Sequence, residues 1–337
     1  MKVGKVPPDI LARNVFPFVG KRRDEVLVHS GFGEDCSVIN FGGGNVAVMS
    51  TDPITGADKH NGYLAVMVSC NDLAACGARP IGILVTLLLP EGTSEDELKE
   101  VMEGIHRGAT QIDVEVLGGH SEVTAAVTKI VINSTAVGIA KMDNYVSSSG
   151  AKPGDDVLVT KSLGLEGAAI LASDFGSYLE GRVSQEYIDT ALGFIDSISV
   201  IDDGLIAAEV GVTAMHDITE GGLLGACYEI AEASKAGMEI WADKLPILPQ
   251  THTICRAFGI DPLGLISSGS MLITSPKGAQ VVAALKNQGI SATIIGKVVE
   301  EGRFIVESHG NTPLYPLKRD ELYRAIDKAQ EQESKRG

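Results

Sequence analysis

Acidic side chains in small or apolar surroundings are the residues of this sequence best suited to chemistry. Asp35 lies in GFGEDCSVI, Asp52 follows the segment NVAVMS, and Asp72 lies within SCNDLAACGARP. Glu122, in VLGGHSEVT, is the fourth. A carboxylate in such surroundings is costly to bury unless a partner compensates its charge. Because Mg²⁺ is bound by a few carboxylates together with nucleotide phosphates, these four residues predict a Mg²⁺ site.

A purely structural interpretation competes with this one, since aspartate is common in turns and at helix N-termini. Asp72 differs from the other three acids, because it falls in the middle of a predicted helix of small residues. A lone carboxylate has no evident structural role there, and Asp72 is therefore also a candidate catalytic residue. His120, in the segment GGHSE, is a second candidate, with an inert role as the equal alternative.

Glycine-rich helix starts in the second half could bind phosphate. The segment TKSLGLEGAAIL places Lys161 before a predicted helix that starts at Gly164 and contains Gly167. Glycines let phosphate oxygens approach the free N–H groups of a helix N-terminus, and a lysine adds charge. The segment MHDITEGG repeats this logic and contains His216, whose role stays open. A threonine and glycine at a helix start more often form only a cap.

Composition excludes several classes of function. There are 28 Lys+Arg against 44 Asp+Glu, a net charge of −16, which argues against nucleic-acid binding. An acidic protein that binds phosphates needs divalent cations as intermediaries. The longest apolar run, residues 81–89, is too short to cross a bilayer, and the first ten residues lack a signal-peptide pattern. We therefore expect a cytoplasmic protein without a membrane partner.

Several common motifs are absent, and the cysteines do not form a framework. The sequence contains no GxxxxGK[ST], no GxGxxG between a strand and a helix, no HExxH and no GxSxG. The number of cysteines is odd and the sequence contains no CxxC pair, which argues against a disulfide framework and against a zinc site. We expect reduced thiols at Cys36, Cys70, Cys76, Cys227 and Cys255, and we expect those of Cys36 and Cys76 to be buried and inert.

Strand and helix signals alternate along the whole chain. The first half predicts strands at 45–50, 81–89, 114–117 and 129–139, with helices at 62–77 and from Ser94 to about 109. A serine- and glycine-rich linker at 146–154 follows. The second half predicts strands at 156–160, 271–274, 292–299 and 303–306, helices that start at Gly164, Ser184, Val200 and Gly221, and helices at 277–288 and from 318. The length predicts two domains, which we place at 1–148 and 149–337.

Three segments together resemble one superfamily. GEDCSV at 33–38, NDLAACGARP at 71–80 and GGHSE at 118–122 are similar in order and spacing to motifs of aminoimidazole ribonucleotide synthetase, selenophosphate synthetase, thiamine-monophosphate kinase and the hydrogenase maturation protein HypE. The NDLAxxGAxP match is the most specific of the three. Two segments of the second half, HDITEGGLLGACYEIAEAS and ISSGSMLI, resemble HypE most closely.

The resemblance implies an aminoimidazole ribonucleotide synthetase-like fold: an α+β N-terminal domain followed by an α/β C-terminal domain. Two chains of such proteins join their N-terminal sheets into a shared barrel, with ATP and Mg²⁺ in the cleft. The family's metal-binding acids correspond to Asp35, Asp52 and Asp72. Its phosphate-contacting turn corresponds to Gly118 and Gly119. Further nucleotide contacts are expected at Asn71, Lys161, Gly164 and Gly167.

This sequence departs from the family in two places. HypE ends in a Pro-x-x-Cys-Gly tail whose cysteine is carbamoylated and then dehydrated, whereas this sequence ends in ESKRG and its last cysteine is Cys255. We therefore expect that HypE chemistry on the chain's own tail does not occur here. The thiamine-phosphate kinase pattern has an acid directly after Gly-Gly, where this sequence has His120; Glu122 is the acid that could substitute for it.

Three functions follow from the resemblance. The first is an ATP- and Mg²⁺-dependent, HypE-like enzyme that acts on a small molecule by phosphoryl transfer or dehydration. The second is a thiamine-monophosphate-kinase-like phosphotransferase. The third is a non-catalytic, nucleotide-binding maturation scaffold for hydrogenase-type metalloenzymes, with another maturation protein as its partner. We also expect a homodimer, because the first-half strands are too apolar to leave a sheet face in water.

Overall fold

The computed structural model describes residues 4–6, 8–55 and 59–336. The elements of the first half, in chain order, are α1 (Pro8–Asn14), β1 (Val26–Val28), β2 (Ser37–Asn40), β3 (Asn45–Ile54), α2 (Asn61–Ala75), β4 (Arg79–Leu89), α3 (Glu95–Gln111), β5 (Glu115–Val123) and β6 (Val131–Lys141). The described strands among them form one sheet in the order β1-β2-β3-β6-β4-β5. Only the β4–β5 pair in this sheet is parallel.

The elements of the second half form a second sheet with helices around it. In chain order they are β7 (Asp156–Thr160), α4 (Leu165–Asp174), α5 (Gly176–Leu179), α6 (Gln185–Leu192), α7 (Ile201–Val210), β8 (Ala214–Asp217), α8 (Gly222–Ala233), β9 (Gly237–Trp241), α9 (Pro249–Phe258), β10 (Met271–Ser275), α10 (Gly278–Asn287), β11 (Ala292–Val299), β12 (Arg303–Glu307), β13 (Gly310–Pro313) and α11 (Glu321–Arg336). The strand order is β13-β12-β9-β11-β7-β10-β8, mostly antiparallel.

Helix α2 lies at the centre of the molecule. It packs on β3 and β6 of the first sheet and, on its other side, against α7 and β8. A helix that is apolar and small on all sides is buried on all sides, and α2 is almost wholly buried. A Cβ at Gly204 of α7 would lie 2.2 Å from the carbonyl oxygen of Ala74, so glycine permits this close helix contact. One hydrophobic core therefore extends from the first sheet to the second.

Most sequence-predicted elements are present, with different ends. The capping box of α3 is confirmed, because Ser94 Oγ accepts from Glu97 N and the Glu97 side chain accepts from Ser94 N. Strand β3 continues beyond residue 50 and includes Asp52, which therefore lies within a strand rather than after one. Seven elements were not predicted from the sequence: α1, β1, α5, β8, β9, α9 and β13. The domain boundary at 148/149 stays a prediction.

None of the helices in the described ranges combines the length and the hydropathy that a membrane crossing requires.

Candidate functional site

A cavity of about 710 Å³ lies between the two halves of the molecule, with residues of both in its wall. The first half contributes the ends of β2 and β3, the middle of α2 and the turn before β2. Four carboxylates from these elements line the cavity: Glu34, Asp35, Asp52 and Asp72. The tertiary structure therefore brings the three predicted metal ligands Asp35, Asp52 and Asp72 to one place.

Asp72 is joined to β3 through a serine. Ser50 Oγ donates a hydrogen bond to Asp72 Oδ2, and Ser50 Oγ also lies 3.3 Å from Asp52 Oδ2. Asp72 is only 7% exposed. Burial raises the pKa of Asp72 well above its ordinary value, and the neighbouring carboxylates of Asp217, Asp52 and Asp35 raise this pKa further. Burial therefore disfavours the ionised form of Asp72, and a nearby cation would favour it.

The second half contributes a buried histidine with carboxylates on both sides. His216 Nδ1 lies 3.1 Å from Asp35 Oδ1, and His216 Nε2 lies 2.7 Å from Glu229 Oε2. Burial disfavours the imidazolium, but Asp35, Asp217 and Glu229 outweigh burial and raise the pKa of His216 well above its ordinary value. Burial likewise raises the pKa of Asp35, although His216 acts in the opposite direction. His216 thus links the first-half acid Asp35 to β8 and α8.

The residues around His216 fit a divalent cation. Ligand atoms of Asp35, His216 and Asp217 all lie within 4.8 Å of one another. Asp35 Oδ2 and Asp217 Oδ2 are buried and have no hydrogen-bond partner among the described residues. Buried oxygens without partners are uncommon, and an ion is one of the groups that satisfies them. Because hard oxygen ligands suit Mg²⁺, the carboxylates of Asp35 and Asp217 are the groups that would hold it. Asp72 lines the same cavity and lies close enough to both to act on them electrostatically, so it is the third candidate ligand.

Asn71 directly precedes the cavity residue Asp72 in the sequence, but its side chain has a structural role. Its Nδ2 donates to the carbonyl oxygen of Ile198 at 2.9 Å, and its Oδ1 accepts from Val200 N at 2.9 Å. The side chain is fully buried. Both hydrogen-bonding ends of this amide therefore connect α2 to the segment before α7, and a nucleotide contact by Asn71 stays a prediction.

The predicted phosphate turn lies in a strand at the sheet edge. Gly118 and Gly119 are part of β5 rather than of a turn. A Cβ at Gly119 would lie 1.7 Å from the carbonyl oxygen of Val85 on β4, and φ at Gly119 is +154°, so packing alone requires glycine here. His120 Nε2 and Glu122 Oε2 lie 3.2 Å apart on the same strand, and both side chains are exposed. These four residues do not line the cavity of the single chain.

The predicted phosphate contacts in the second half already have protein partners. Lys161 Nζ donates to the carbonyl oxygen of Ser199 at 2.6 Å and lies 3.1 Å from Asp203 Oδ2. Gly164 N donates to Ser267 Oγ, and Gly167 N donates to the carbonyl oxygen of Ile266. A Cβ at Gly167 would lie 2.4 Å from Leu265 Cγ, so this glycine permits close packing. Binding of phosphate by Lys161, Gly164 or Gly167 stays a prediction.

Two cavity residues were missing from the predicted site. Asp217 follows His216 at the end of β8, and Glu166 lies in the first turn of α4. Both are buried and line the cavity. The sequence did contain a signal for Asp217, because an acid at a strand end before Gly-Gly and a helix occurs in MHDITEGG. Glu166 had no such signal, since a glutamate in the first helical turn is ordinary.

Comparison with known proteins places both halves in one family. The N-terminal domain model of AIR synthase related protein matches residues 33–140, and the C-terminal domain model matches residues 152–309. The carbamoyl dehydratase HypE of Rhodobacter capsulatus is 30% identical over 247 residues, which are 71% of this chain and 70% of that protein.

Solved structures show the same fold. A structure of the hydrogenase maturation protein HypE in complex with ATP has a TM-score of 0.72 at 25% identity and covers 96% of this chain and 98% of its own. AaThiL complexed with AMPPCP and TMP has a TM-score of 0.69 at 24% identity, and the match covers 82% of this chain and 88% of AaThiL. A HypE–HypF complex structure has a TM-score of 0.74 at 22% identity, with 91% and 99% covered. The expected two-domain fold is confirmed, and the chain belongs to the family of AIR synthase related proteins.

Proposed function

We propose that this protein is an ATP- and Mg²⁺-dependent, HypE-like enzyme that acts on a small molecule in the cavity between its two halves. The observation that carries the proposal is the convergence of Asp35, Asp72 and Asp217 in one cavity, where Asp35 Oδ2 and Asp217 Oδ2 have no hydrogen-bond partner among the described residues. Bound Mg²⁺ would neutralise these carboxylates and nucleotide phosphates together. The similarity to a HypE structure in complex with ATP supports the nucleotide.

The residues of the chain have separable roles in this proposal. Asp35, Asp72 and Asp217 hold the cation, and Ser50 orients Asp72 through its hydrogen bond. His216 positions Asp35 through their contact of 3.1 Å. The protonated ring of His216 would lie between the carboxylates of Asp35 and Glu229. A bound nucleotide would displace water from the cavity, which would strengthen each electrostatic interaction with the phosphates. Activation of a substrate oxygen as a phosphoryl ester is the reaction type that such a site supports.

A kinase of the thiamine-monophosphate type is the alternative, and it shares the nucleotide site. Its support is the fold similarity to AaThiL. A non-catalytic scaffold that binds a maturation protein is the other alternative. The HypE–HypF structure shares the fold of this chain, so a maturation-protein partner remains part of that proposal. Turnover of ATP separates the scaffold from both enzymes.

A homodimer through the first sheet belongs to the proposal. Four large apolar side chains on β4 and β5 are exposed, between 43% and 59%: Ile81, Leu84, Leu117 and Val123. Strand β5 is also an edge strand within the described residues. An exposed apolar face beside an unpaired edge favours association. Gly118, Gly119, His120 and Glu122 lie on β5, so such a dimer would place these four residues next to the second chain.

Calorimetry with Mg²⁺ and ATP tests the proposal. We expect ATP to bind only when Mg²⁺ is present, because the cavity carboxylates repel metal-free phosphates. Asp72→Asn should weaken Mg²⁺·ATP binding roughly tenfold or more, which corresponds to about 1.4 kcal/mol. Asp96→Asn, on the exposed first turn of α3, is the matched control. Equal ATP affinity in EDTA would contradict the metal-bridged site, and absence of ADP formation with any acceptor would favour the scaffold.

A further inference from the structure

Glu166 is a buried carboxylate that the proposed nucleotide site does not use. It lies in the first turn of α4, is 3% exposed and lines the cavity from the second half. Its Oε2 accepts a hydrogen bond of 3.3 Å from Ser268 N, and the Ser268 side chain also lies close enough to act on this carboxylate. Neither contact supplies the positive charge that ordinarily compensates a buried carboxylate.

The neighbouring Ser268 has an unused hydroxyl. Among the described residues, Ser268 Oγ is buried and lacks a hydrogen-bond partner. The adjacent serines are fully engaged: Ser267 Oγ accepts from Gly164 N at 2.7 Å, and Ser270 Oγ donates to the carbonyl oxygen of Ser162 at 3.0 Å. Ser267 and Ser270 therefore hold the loop, whereas Ser268 lines the cavity with a buried hydroxyl that none of these contacts uses.

Two apolar side chains in the cavity wall are close to this pair in the sequence. Ile170 lies one helical turn after Glu166 on α4, and Ile266 precedes the serines; both line the same cavity. Residues four apart share one face of a helix, so Ile170 and Glu166 face the cavity together. The arrangement offers a carboxylate and a hydroxyl to a small ligand with a short hydrocarbon part.

Charge determines which ligand fits. Among the described residues, the basic groups in the cavity wall are Lys5 and His216. Both are already paired, Lys5 with Glu229 at 3.8 Å and His216 with Asp35 and Glu229. Asp320 and Asp217 lie close enough to Glu166 to act on it electrostatically. An anionic group would find no free cation near Glu166, whereas a cationic nitrogen would find an unpaired carboxylate.

We propose that Glu166 and Ser268 form the acceptor subsite and bind a small molecule through a protonated amine, amidine or guanidine group. This inference rests on the proposed function, because it assigns the second substrate to the same cavity. The carboxylate of Glu166 receives the cationic N–H groups, and Ser268 Oγ accepts or donates the remaining hydrogen bond. Burial raises the pKa of Glu166 to about 7, and a bound cation would keep the carboxyl ionised.

The test uses methylguanidinium chloride as the probe, with N-methylurea as its neutral analogue. Both are titrated by calorimetry into the full chain saturated with Mg²⁺ and a non-hydrolysable ATP analogue. We expect the wild type to bind methylguanidinium and not methylurea. Glu166→Gln should weaken binding about tenfold or more, and Ser268→Ala should weaken it by a smaller factor. Glu186→Gln, a glutamate in the exposed first turn of α6, is the matched control and should bind as the wild type does.

Three results would overturn the inference: equal binding of methylurea, unchanged binding in a folded Glu166→Gln, or an equal loss in Asp72→Asn. The last would show that the overall negative charge of the cavity attracts the probe. Mg²⁺·ATP affinity, measured on the same samples, separates this inference from the proposed function. Intact ATP binding without methylguanidinium binding overturns the subsite alone. Absent ATP binding overturns the proposed function, and the methylguanidinium titration without nucleotide then decides the subsite by the same variants.

Discussion

The acids of the cavity are buried without an ordinary counter-charge. In the described chain, Asp35, Asp72 and Asp217 form ion pairs neither with lysine nor with arginine, and the imidazole of His216 lies beside Asp35 and Asp217. Natural proteins retain such arrangements mainly where a ligand compensates them, because buried charges lower the stability of the folded protein. Residues that destabilise the empty protein are therefore the ones expected to bind the cation.

Substitution of Asp72 separates binding from stability. Asp72→Asn keeps the volume and the acceptor for Ser50 but removes a charge that burial disfavours. In EDTA we expect a melting temperature equal to or above that of the wild type, together with weaker Mg²⁺·ATP binding. Thermal melting with and without Mg²⁺ measures both effects. A lower melting temperature in EDTA with unchanged ATP affinity would assign Asp72 a structural role.

The Glu166 carboxyl predicts a pH dependence of stability. Burial raises its pKa from 4.5 to about 7. Below pH 4.5 both folded and unfolded chains carry the proton; between 4.5 and 7 only the unfolded chain loses it, so stability falls as pH rises. Above pH 7 the loss of folding free energy due to the ionised Glu166 is constant, at about 3 kcal/mol at most. Glu166→Gln should therefore raise the melting temperature at pH 8 more than at pH 5. An equal change at both pH values would contradict this, and Glu186→Gln serves as the control.

The thiols are predicted to be unreactive. All five cysteines are free and buried. Burial raises the pKa of Cys70 and of Cys255 to about 12, so the reactive thiolate is scarce at neutral pH. Incubation with a carbamoyl donor and ATP should leave the intact mass of this 337-residue chain unchanged, and Cys255→Ser should behave as the wild type. Mass spectrometry that finds a carbamoyl or cyano adduct on one of these cysteines would refute the prediction.

At the scale of elements, α2 connects the two sheets. It carries Asp72 on the side of the cavity and Asn71 on the side of α7. Consecutive helical residues point about 100° apart, so one short motif can supply both a ligand and a structural clamp. The same sequence segment therefore serves the site and the contact between the sheets.

Loss of the Asn71 clamp should lower stability. Asn71→Ala removes two hydrogen bonds and leaves Val200 N and the Ile198 carbonyl buried without partners. We expect a decrease of about 2–4 kcal/mol in the free energy of unfolding. Denaturant titration measures the decrease, with Asn14→Ala on the exposed helix α1 as the control. A loss below 1 kcal/mol would show that the clamp is weak, and ATP affinity of the folded variant tests the predicted nucleotide contact.

At the scale of the whole molecule, the exposed apolar face of the first sheet predicts association. We expect light scattering of the wild type to give twice the chain mass of 35.3 kDa. Leu84→Glu should shift the mass towards that of one chain, because a charge on β4 opposes burial of this face. Leu192→Glu, on exposed helix α6 of the second half, is the control. A wild-type mass of one chain at micromolar concentration would contradict the dimer.

Local patterns in the sequence were sufficient for much of the fold. Hydrophobic periodicity and capping signals are local, because each depends on residues only a few positions apart. They predicted β7 and β11 with their observed ends and α3 with its capping box. Short strands such as β8 and β9 were missed because four or five residues carry little periodic signal. The two glycines of β5 were interpreted as a turn, since the approach of Val85 that requires Gly119 is not a local property.

The sequence by itself determined most of the elements and their order, the family, and three acids of the cavity wall, Asp35, Asp52 and Asp72, because each is encoded in a contiguous segment. Only the tertiary structure decided which residues share the cavity. Asp35 and His216 are separated by 216 − 35 = 181 positions, yet their side chains lie 3.1 Å apart, and Glu166 meets Ser268 across 102 positions. The physical reason is that packing of α2 against α7 and β8 sets the distance between the two sheets, and such packing depends on the shape of both halves together.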